Sequence, residues 1–436
     1  MDTLSAREWS YDEIAGGRQK YLAPSLATFT AYARPLALGR GEGQYVWDID
    51  GKRYLDCLAQ NLCISVGYAN PMVNEAVATQ MAAIQHVTTM YCHEAPIAFA
   101  ERLIGKFPAE DYVVHFVNSG AEAIDIATLV ARLYTGNHDI LTLRSAYHGM
   151  HFGTMSATGL ALCHQPLPSS PGYVQVANPD QYRGIFGAGV EPYVQEIVNT
   201  IDTATSGQIA AIMIEPIQGY GGVVPMPEGY MQKAAEAARQ AGGLLIVDEV
   251  QTGFGRTGKA FWGFEAHGVT PDIVVMSKGI GNGFPLAATV MRREIAESMA
   301  HRKFFNTYGS NPMACAAGLA VLNVLEADRL QDNAARVGAM FEAGMRRVAD
   351  KHEAIGDVRG SGLMLGIEFV SDRGSKTPDD AKADAVQEGL RERGVIVGRS
   401  GRFKNVLRIN PPLCVTEGDA GLMEQALDET LTSLAR

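Results

Sequence analysis

Two apolar runs in the middle of the chain end in charged residues. Leu244–Val247 is followed by Asp248, and Ile273–Met276 is followed after Ser277 by Lys278. Desolvation lowers the pKa of an amine and allows it to form a Schiff base with a carbonyl compound near neutral pH. Because ligands of open α/β sheets bind outside the carboxyl ends of the strands, we expect the acid and the amine to face one crevice. A solvated lysine capping a strand is the alternative.

A third candidate lies between the apolar run Val113–Val117 and a segment with helical spacing. It consists of Ser119, Gly120 and Ala121. The free N–H groups and the positive dipole end of a helix start bind phosphate dianions well. An ordinary serine N-cap with Glu122 in the first turn predicts the same local sequence. Phosphate binding is favoured once Lys278 and Asp248 are counted with it.

Two glycine-rich stretches suggest a different class, a non-catalytic nucleotide-binding module. Gly253–Lys259 matches the GxxxxGK part of a P-loop, but Ala260 stands where the Mg²⁺-binding hydroxyl is required. Gly279–Gly283 lacks the third glycine of a dinucleotide fingerprint. Nucleotide binding is therefore the weaker alternative. No metal site is predicted, since His148 and His151 are the nearest approach to a ligand pair.

The elements that would position these residues alternate between strand and helix. Buried strands are predicted at Val113–Val117, Ile140–Leu143, Ile209–Ile214, Leu244–Val247, Ile273–Met276 and Leu286–Val290. Helices are predicted at Ala121–Tyr134 and Gly229–Gln240. This alternation predicts an α/β fold with a mostly parallel sheet.

The pattern changes towards both ends of the chain. Residues 1–65 contain a hairpin-like segment, Tyr45–Leu55, with the turn signal Asp50-Gly51. From residue 321 a long helical segment precedes short strands, predicted at Gly366–Phe369, Val395–Val397 and Val406–Ile409, and a closing helix from Thr416. We expect a large domain over 66–320 and a smaller α+β domain over 321–436, to which residues 1–65 contribute.

Composition narrows the class of protein further. The chain has 436 residues, 47% of them hydrophobic, and a formal net charge of −11, which repels nucleic acid and anionic membranes. The first residues form neither a signal peptide nor a membrane span, and the six cysteines lie scattered without a CxxC pair. A cytoplasmic protein without nucleic-acid or membrane partners is expected.

Six segments in order carry a family resemblance. They are Asn118–Ala123, Ala146–Gly149, Glu215–Gly219, Asp248–Gly258, Ser277–Gly283 and Phe305–Pro312. From about Tyr45 to the C-terminus the chain resembles the class III, ω-type aminotransferases, which depend on pyridoxal phosphate and have PLP fold type I. Phe261–Phe264 and Asn311–Ala316 resemble the subgroup of mitochondrial alanine:glyoxylate aminotransferases and amino-alcohol phospho-lyases.

The resemblance implies a role for each candidate. Lys278 would carry the cofactor and then transfer a proton, while Asp248 would keep the pyridine nitrogen protonated. Ser119, Gly120 and Ala121 would hold the phosphate. The other cofactor contacts would be Tyr147, Glu215, Val250, Gln251 and, across a homodimer interface, Thr307. A homodimer, or a dimer of such dimers, is the implied assembly.

Substrate recognition is implied at Arg408, which resembles the family arginine that clamps a carboxylate; a salt bridge on a solvated strand face is the alternative. Tyr220 stands where some relatives carry a glutamate that masks this arginine, and the phospho-lyases tend to have lysine in place of Arg408. Pocket shape would depend on Gln60, Asn61, Met90, Tyr91 and Tyr220. We expect ping-pong transfer of an amino group from an amino acid or amine to a 2-oxo acid such as pyruvate or glyoxylate, with phospho-lyase or racemase activity as alternatives.

Overall fold

The structure, a computed structural model, describes residues 7–108 and 111–435. Its strands, numbered along the chain, are β1 (Leu38–Glu42), β2 (Tyr45–Asp48), β3 (Arg53–Asp56), β4 (Tyr112–Val117), β5 (Ile140–Leu143), β6 (Tyr173–Val176), β7 (Ala211–Ile214), β8 (Ile217–Gln218), β9 (Val224–Pro225), β10 (Leu244–Asp248), β11 (Ile273–Met276), β12 (Ala287–Arg292), β13 (Ile355–Ser361), β14 (Met364–Asp372), β15 (Thr377–Pro378), β16 (Val395–Ile396), β17 (Gly398–Ser400) and β18 (Val406–Ile409).

The α-helices, numbered in the same way, are α1 (Tyr11–Tyr21), α2 (Pro24–Ala27), α3 (Ala59–Leu62), α4 (Pro71–Ala83), α5 (Glu94–Ile104), α6 (Gly120–Thr135), α7 (Phe152–Ala157), α8 (Glu191–Ala204), α9 (Tyr230–Gln240), α10 (Arg293–Glu297), α11 (Pro312–Ala327), α12 (Leu330–Lys351), α13 (Asp380–Glu392) and α14 (Glu417–Leu434). Short 3₁₀ turns occur at Ala161–Cys163, Gly263–His267 and Lys278–Gly281.

A seven-stranded sheet, ordered β4-β12-β11-β10-β7-β5-β6, forms the centre of the chain. Only β12 runs antiparallel to its neighbours, so the expectation of a mostly parallel α/β sheet is confirmed. All six predicted strands are present. Strand β6 has no counterpart among the predictions, because it is a half-buried edge strand without a continuous apolar run.

The central strands are apolar throughout because both faces of the sheet are covered. Leu245 and Val247 of β10 belong to the core on one face, whereas Leu244 and Ile246 belong to the core on the other. Helix α6 packs its buried side on the second face. Burial on both faces leaves only the strand ends for polar chemistry.

Two further sheets use the outer parts of the chain. Strands β1, β2 and β3 form the predicted hairpin region, and β16 pairs in parallel with β3. The C-terminal sheet has the order β13-β14-β18-β17, with β15 on β14. The pairing of β3 with β16 supports the expectation that residues 1–65 contribute to the C-terminal domain. The domain boundaries at 65 and 320 stay a prediction.

Within the described residues, no helix has the length and apolar character that a bilayer crossing requires.

Candidate active site

The predicted acid and lysine follow neighbouring strands. Strands β10 and β11 are parallel, and Asp248 lies opposite Val275 in the register. Beyond these strand ends lies a cavity of about 490 Å³. Nine of the predicted cofactor residues line it: Ser119, Gly120, Ala121, Tyr147, Glu215, Asp248, Val250, Gln251 and Lys278. The fold thus brings together residues that are up to 159 positions apart in the chain.

Lys278 begins a 3₁₀ turn immediately beyond the end of β11. Its backbone has φ of 50°, a left-handed conformation that is unfavourable for a residue with a side chain. Burial lowers the pKa of its amine, although the charge of Asp248 opposes this shift. A larger share of the amine is therefore neutral, and able to act as a nucleophile or base, at a given pH.

Asp248 is held by two hydrogen bonds inside the protein. Its Oδ1 accepts from the backbone N–H of Val250 at 3.0 Å, and its Oδ2 lies 2.7 Å from Nδ1 of the buried His148. Burial alone would lower the pKa of His148, but the hydrogen bond and charge of Asp248 outweigh it and raise the pKa. His148 therefore fixes the orientation of the Asp248 carboxylate at the cavity wall.

The positioning role of His148 is absent from the sequence-based interpretation. The residue lies within the Ala146–Gly149 segment of the resemblance, but its separation of 100 positions from Asp248 conceals the contact. His151, the other histidine of the segment, lies beside Asp125 with 3.3 Å between its Nδ1 and Oδ2 of that residue.

Glu215 is a buried carboxylate that orients the loops around the cavity. Its Oε1 accepts from the backbone N–H of Tyr147 at 3.0 Å, and its Oε2 accepts from the backbone N–H of Gly219 at 3.1 Å. Burial raises the pKa of Glu215, with the charge of Asp248 adding to the effect and that of His148 opposing it. Its contacts place the ring of Tyr147 at the cavity wall.

The start of α6 forms another part of the wall. Ser119 is the N-cap, and its hydroxyl accepts from the backbone N–H of Glu122 at 3.2 Å. The N-cap alternative is thus present, and it is compatible with phosphate binding. Gly120 and Ala121 occupy the first turn, where N–H groups have no intrahelical acceptor, and both line the cavity.

Gln251 provides a test of whether pyridoxal phosphate fits. Its side-chain Oε1 is buried without a hydrogen-bond partner among the described residues. A Cβ at Gly219 would lie 2.3 Å from this oxygen, so glycine there is what leaves the amide its place. An unpaired buried amide, a free helix start and a buried acid beside a partly buried lysine are the donor and acceptor set that a phosphorylated pyridine aldehyde requires.

Four of the predicted cofactor and substrate contacts lie off the cavity wall, as do the predicted pocket residues Asn61, Met90 and Tyr91. Thr307 is exposed, and its neighbour Asn306 is hydrogen-bonded to Asn118 and Glu122 at the start of α6. Gln60 is also exposed, with a 3.4 Å contact from its Nε2 to the carboxylate of Asp56. The other two, Tyr220 and Arg408, form a group of their own beside the cavity.

Arg408 lies on β18 and is 4% exposed, which excludes the alternative of a solvated strand face. Its guanidinium carbon lies 5.2 Å from the ring centroid of Tyr220, and that ring meets the ring of Tyr147 edge-on at 5.3 Å. Burial lowers the pKa of Arg408 to about 10, so the side chain is still a cation at neutral pH. Among the described residues, no acidic side chain pairs with it.

The P-loop-like stretch has a structural role. A Cβ at Gly255 would lie 2.9 Å from the side chain of Gln331, and one at Gly258 would lie 2.6 Å from the backbone of Ala335. These glycines therefore allow close packing on α12. No helix starts at Lys259, so the stretch lacks the phosphate-binding geometry of a P-loop.

Comparison with known proteins identifies the class. Residues 29–431 match the model of the family Aminotransferase class-III, and the chain belongs to that family. It is a pyridoxal-phosphate-dependent aminotransferase.

Several relatives carry more specific names. The chain is 45% identical over 425 residues to alanine–glyoxylate aminotransferase 2 homolog 2, mitochondrial, of Arabidopsis thaliana, covering 98% of this chain and 88% of the relative. It is 36% identical to the human mitochondrial alanine–glyoxylate aminotransferase 2, covering 97% and 86%.

Solved structures agree with this class. An (S)-enantioselective ω-transaminase from Thermomicrobium roseum superposes with a TM-score of 0.91 at 35% identity, covering 99% of this chain and 100% of that one. A PLP-bound amine transaminase from an uncultivated Pseudomonas species gives 0.88 at 32%, covering 95% and 98%. A phospholyase from Arthrobacter in complex with phosphoethanolamine also gives 0.88 at 32%, covering 96% and 99%. Fold type I is therefore confirmed.

The first prediction concerns covalent attachment. Because Lys278 is the lysine that lines the cavity, borohydride reduction of the holoenzyme should fix a pyridoxyl group on the peptide that contains Lys278. Mass spectrometry of the digest checks this, with Lys278→Ala as control. An adduct on Lys259 would contradict the assignment. Because burial lowers the pKa of Lys278 from 10.5, attachment of added cofactor to the apoenzyme should accelerate with pH and level off below pH 10.5.

The second prediction concerns Asp248. Asp248→Asn removes the negative charge that holds a proton on the ring nitrogen, so turnover should decrease roughly 10²- to 10³-fold, as when other electrostatic groups of active sites are removed. Cofactor retention, measured by absorbance after gel filtration, should persist. Glu249→Gln is the matched control, since Glu249 is equally buried but bonds to Thr252 and Phe264 instead of lining the cavity. Near-normal turnover of Asp248→Asn would make this acid purely structural.

Proposed function

We propose that this aminotransferase moves an amino group from an amino acid or amine to a small 2-oxo acid, with pyruvate and glyoxylate as the preferred acceptors. The observation that carries the proposal is Arg408, a buried cation beside the cavity that has no acidic partner in the part of the chain that the structure describes. A buried charge is costly unless it is paired. A carboxylate on the donor and on the acceptor would supply the missing pair in both half-reactions.

The names of the relatives support this choice of substrates. The proteins from Arabidopsis thaliana and Homo sapiens are both named for alanine and glyoxylate. Alanine and glyoxylate each place a carboxylate next to the reacting carbon, so one guanidinium serves both. Pyruvate, the 2-oxo acid that corresponds to alanine, fits the same arrangement.

In this proposal the residues of the cavity divide the work. When bound, pyridoxal phosphate supplies an aldehyde that links to an amine and a ring that accepts an electron pair from the adjacent carbon. Lys278 would hold the cofactor and then, as a free amine, move a proton between the substrate Cα and C4′ of the cofactor. Asp248, whose carboxylate is held by the buried ring of His148, would keep the proton on the ring nitrogen.

The remaining residues bind and orient. The amides of Gly120 and Ala121, with the Ser119 hydroxyl, take the phosphate, and the helix dipole favours its charge. Tyr147 and Val250 would cover the two ring faces and exclude water. The side-chain amide nitrogen of Gln251 would donate a hydrogen bond to the ring oxygen.

Elimination and racemisation start from the same loss of a Cα proton, and a phospholyase is among the structural neighbours. Arg408 favours transfer, because its planar fork matches a carboxylate in two parallel hydrogen bonds.

The third prediction separates these reactions. Incubation of the holoenzyme with L-alanine and glyoxylate should yield pyruvate and glycine in equal amounts, which NMR of the mixture measures. Without a 2-oxo acid, neither ammonia from alanine nor phosphate from phosphoethanolamine should accumulate, and D-alanine should not form. Catalytic release of phosphate or ammonia without an acceptor would replace this proposal by a lyase.

We also infer a homodimer with shared sites. Thr307 is exposed on a loop that Asn306 ties to the phosphate-binding helix start, and its chain neighbours Phe305 and Tyr308 are 55% and 63% exposed. The ring of Tyr308 packs against His86 at 5.3 Å, and Met90 and Tyr91, which follow His86 in the chain, are each 71% exposed. Such clustering is typical of an interface, and a partner subunit would bring its cofactor within reach of Thr307.

The fourth prediction tests the shared site. Lys278→Ala and Thr307→Asp chains should each form inactive homodimers, the second because a carboxylate repels the phosphate. Co-expression with two tags should give hybrid dimers with one intact composite site, so about a quarter of wild-type activity should return if the chains pair at random. Inactive hybrids, or a monomer that is active at assay concentration, would contradict the proposal.

We propose that the protein is located in the cytoplasm. All six cysteines are free thiols, which is typical of a reducing compartment. Two relatives carry "mitochondrial" in their names, so fractionation of cells that express the chain is the deciding measurement.

A further inference from the structure

The turn that leaves strand β3 has an unusual backbone. The short element α3 is a left-handed turn and not an ordinary α-helix, because its four non-glycine residues, Ala59, Gln60, Asn61 and Leu62, have φ between 49° and 66°. Left-handed conformations are unfavourable for such residues and occur as single residues in ordinary chains. A run of four persists only where the surroundings over-determine it, and such strain concentrates at functional sites.

Asp56 holds the start of this left-handed turn, which comprises residues 59–62, through several hydrogen bonds. Its Oδ1 accepts from the backbone N–H groups of Leu58 and Ala59, each at 2.9 Å, and its Oδ2 accepts from the hydroxyl of Tyr68. The carboxylate is completely buried, and Nε2 of Gln60 adds a longer contact to Oδ2 at 3.4 Å, so its compensation within the described residues comes from protein groups. The turn is therefore built on an anchor that water does not weaken.

The far end of the turn is fastened to the cofactor lysine's own loop. The Ser65 hydroxyl donates to the carbonyl of Gly279 at 2.6 Å, and the backbone N–H of Val66 donates to Oδ1 of Asn282 at 3.0 Å. The left-handed turn is thus held between β3 and the residues that follow Lys278.

The strained backbone presents Asn61 to Arg408. The Nη2 of Arg408 donates to Oδ1 of Asn61 at 2.9 Å, across a separation of 347 positions in the chain. Asn61 is exposed whereas Arg408 is buried, so Asn61 covers the solvent side of the guanidinium. The neighbouring Nε of Arg408 has no partner among the described residues.

Glycine at position 398 leaves room beside the guanidinium. Gly398 is the register partner of Arg408 on β17. A Cβ at Gly398 would lie 2.5 Å from Cδ1 of Leu58, 3.2 Å from Nη2 of Arg408 and 3.3 Å from its Nε. Space beside the two nitrogens that form a carboxylate fork is therefore preserved.

From this geometry we infer that Asn61 is a positioning and specificity-determining residue, which holds the guanidinium of Arg408 in place without neutralising it and thereby favours substrates that carry a carboxylate. The inference rests on the proposed function of Arg408. An amide oxygen accepts one hydrogen bond and leaves the positive charge and the remaining donors available. A carboxylate at the same place would form an ion pair with Arg408 and compete with the substrate.

The fifth prediction uses two substitutions. Asn61→Asp keeps the size of the side chain and adds the competing charge, whereas Asn61→Gly removes the amide and suits the left-handed backbone. The probes are L-alanine and propan-2-amine, which differ only in a carboxylate replaced by a methyl group. Bleaching of the cofactor absorbance in the absence of acceptor measures each half-reaction separately.

Asn61→Asp should decrease the apparent second-order rate constant for alanine about 10- to 100-fold and that for propan-2-amine less than about twofold. Asn61→Gly should raise the half-saturating concentration of alanine about 10-fold at an unchanged limiting rate, the effect of losing one hydrogen bond to a charged group. Asn199→Asp, which adds the same charge on the exposed face of α8, is the matched control and should change neither rate.

The outcomes separate this inference from the proposed function. Arg408→Leu should abolish the preference for alanine, and if it does not, both the proposed role of Arg408 and the inference fall. If Arg408→Leu changes the preference but both Asn61 variants leave it unaltered, or lower the two rates in parallel, the inference alone is overturned. Thermal unfolding and cofactor absorbance of each variant identify a parallel loss that comes from damage to the fold.

Discussion

Asp248 and Lys278 carry opposite charges at the carboxyl ends of two adjacent parallel strands, and the surrounding structure keeps both away from bulk water. Removing charge from water is expensive, so each group must be compensated locally. Asp248 is compensated by hydrogen bonds to the backbone N–H of Val250 and to the ring of His148. The amine of Lys278 is compensated in part by the charge of Asp248, and burial lowers its pKa. The two cores that cover the seven-stranded sheet make this compensation rigid, because β10 and β11 cannot move independently of their neighbours.

A second group of polar residues acts through backbone contacts. Glu215 holds Tyr147 and Gly219, and Asn306 joins the loop of Thr307 to the start of α6. Each has a hydrogen-bonding partner far away in the chain, so loops from separate elements are fixed against one another. Loops are usually mobile, and these hydrogen bonds hold their side chains in the fixed positions that an active site requires.

The substrate side has a different construction. Arg408 comes from the C-terminal sheet, and Asn61 comes from the left-handed turn after β3, so the ends of the chain meet at the site. The parallel pairing of β3 with β16 brings these regions together. Among the described residues Arg408 has no acidic partner, so in the proposed function a substrate carboxylate would pair with this buried cation.

The sequence by itself determined the central sheet, because strands buried on both faces are continuous apolar runs, and it determined which residues follow each strand. The Asp50-Gly51 turn and the Thr416 helix cap were also predictable, because turn and cap residues act on the backbone next to them. Edge strands such as β6 and β17 were not, since their residues are apolar on no consistent face. Only the tertiary structure decided that His148 contacts Asp248, that Asn61 contacts Arg408 and that Arg408 is buried rather than solvated. These contacts join residues 100 and 347 positions apart, and a side chain's partner at such a distance depends on how whole sheets pack, which no local pattern records.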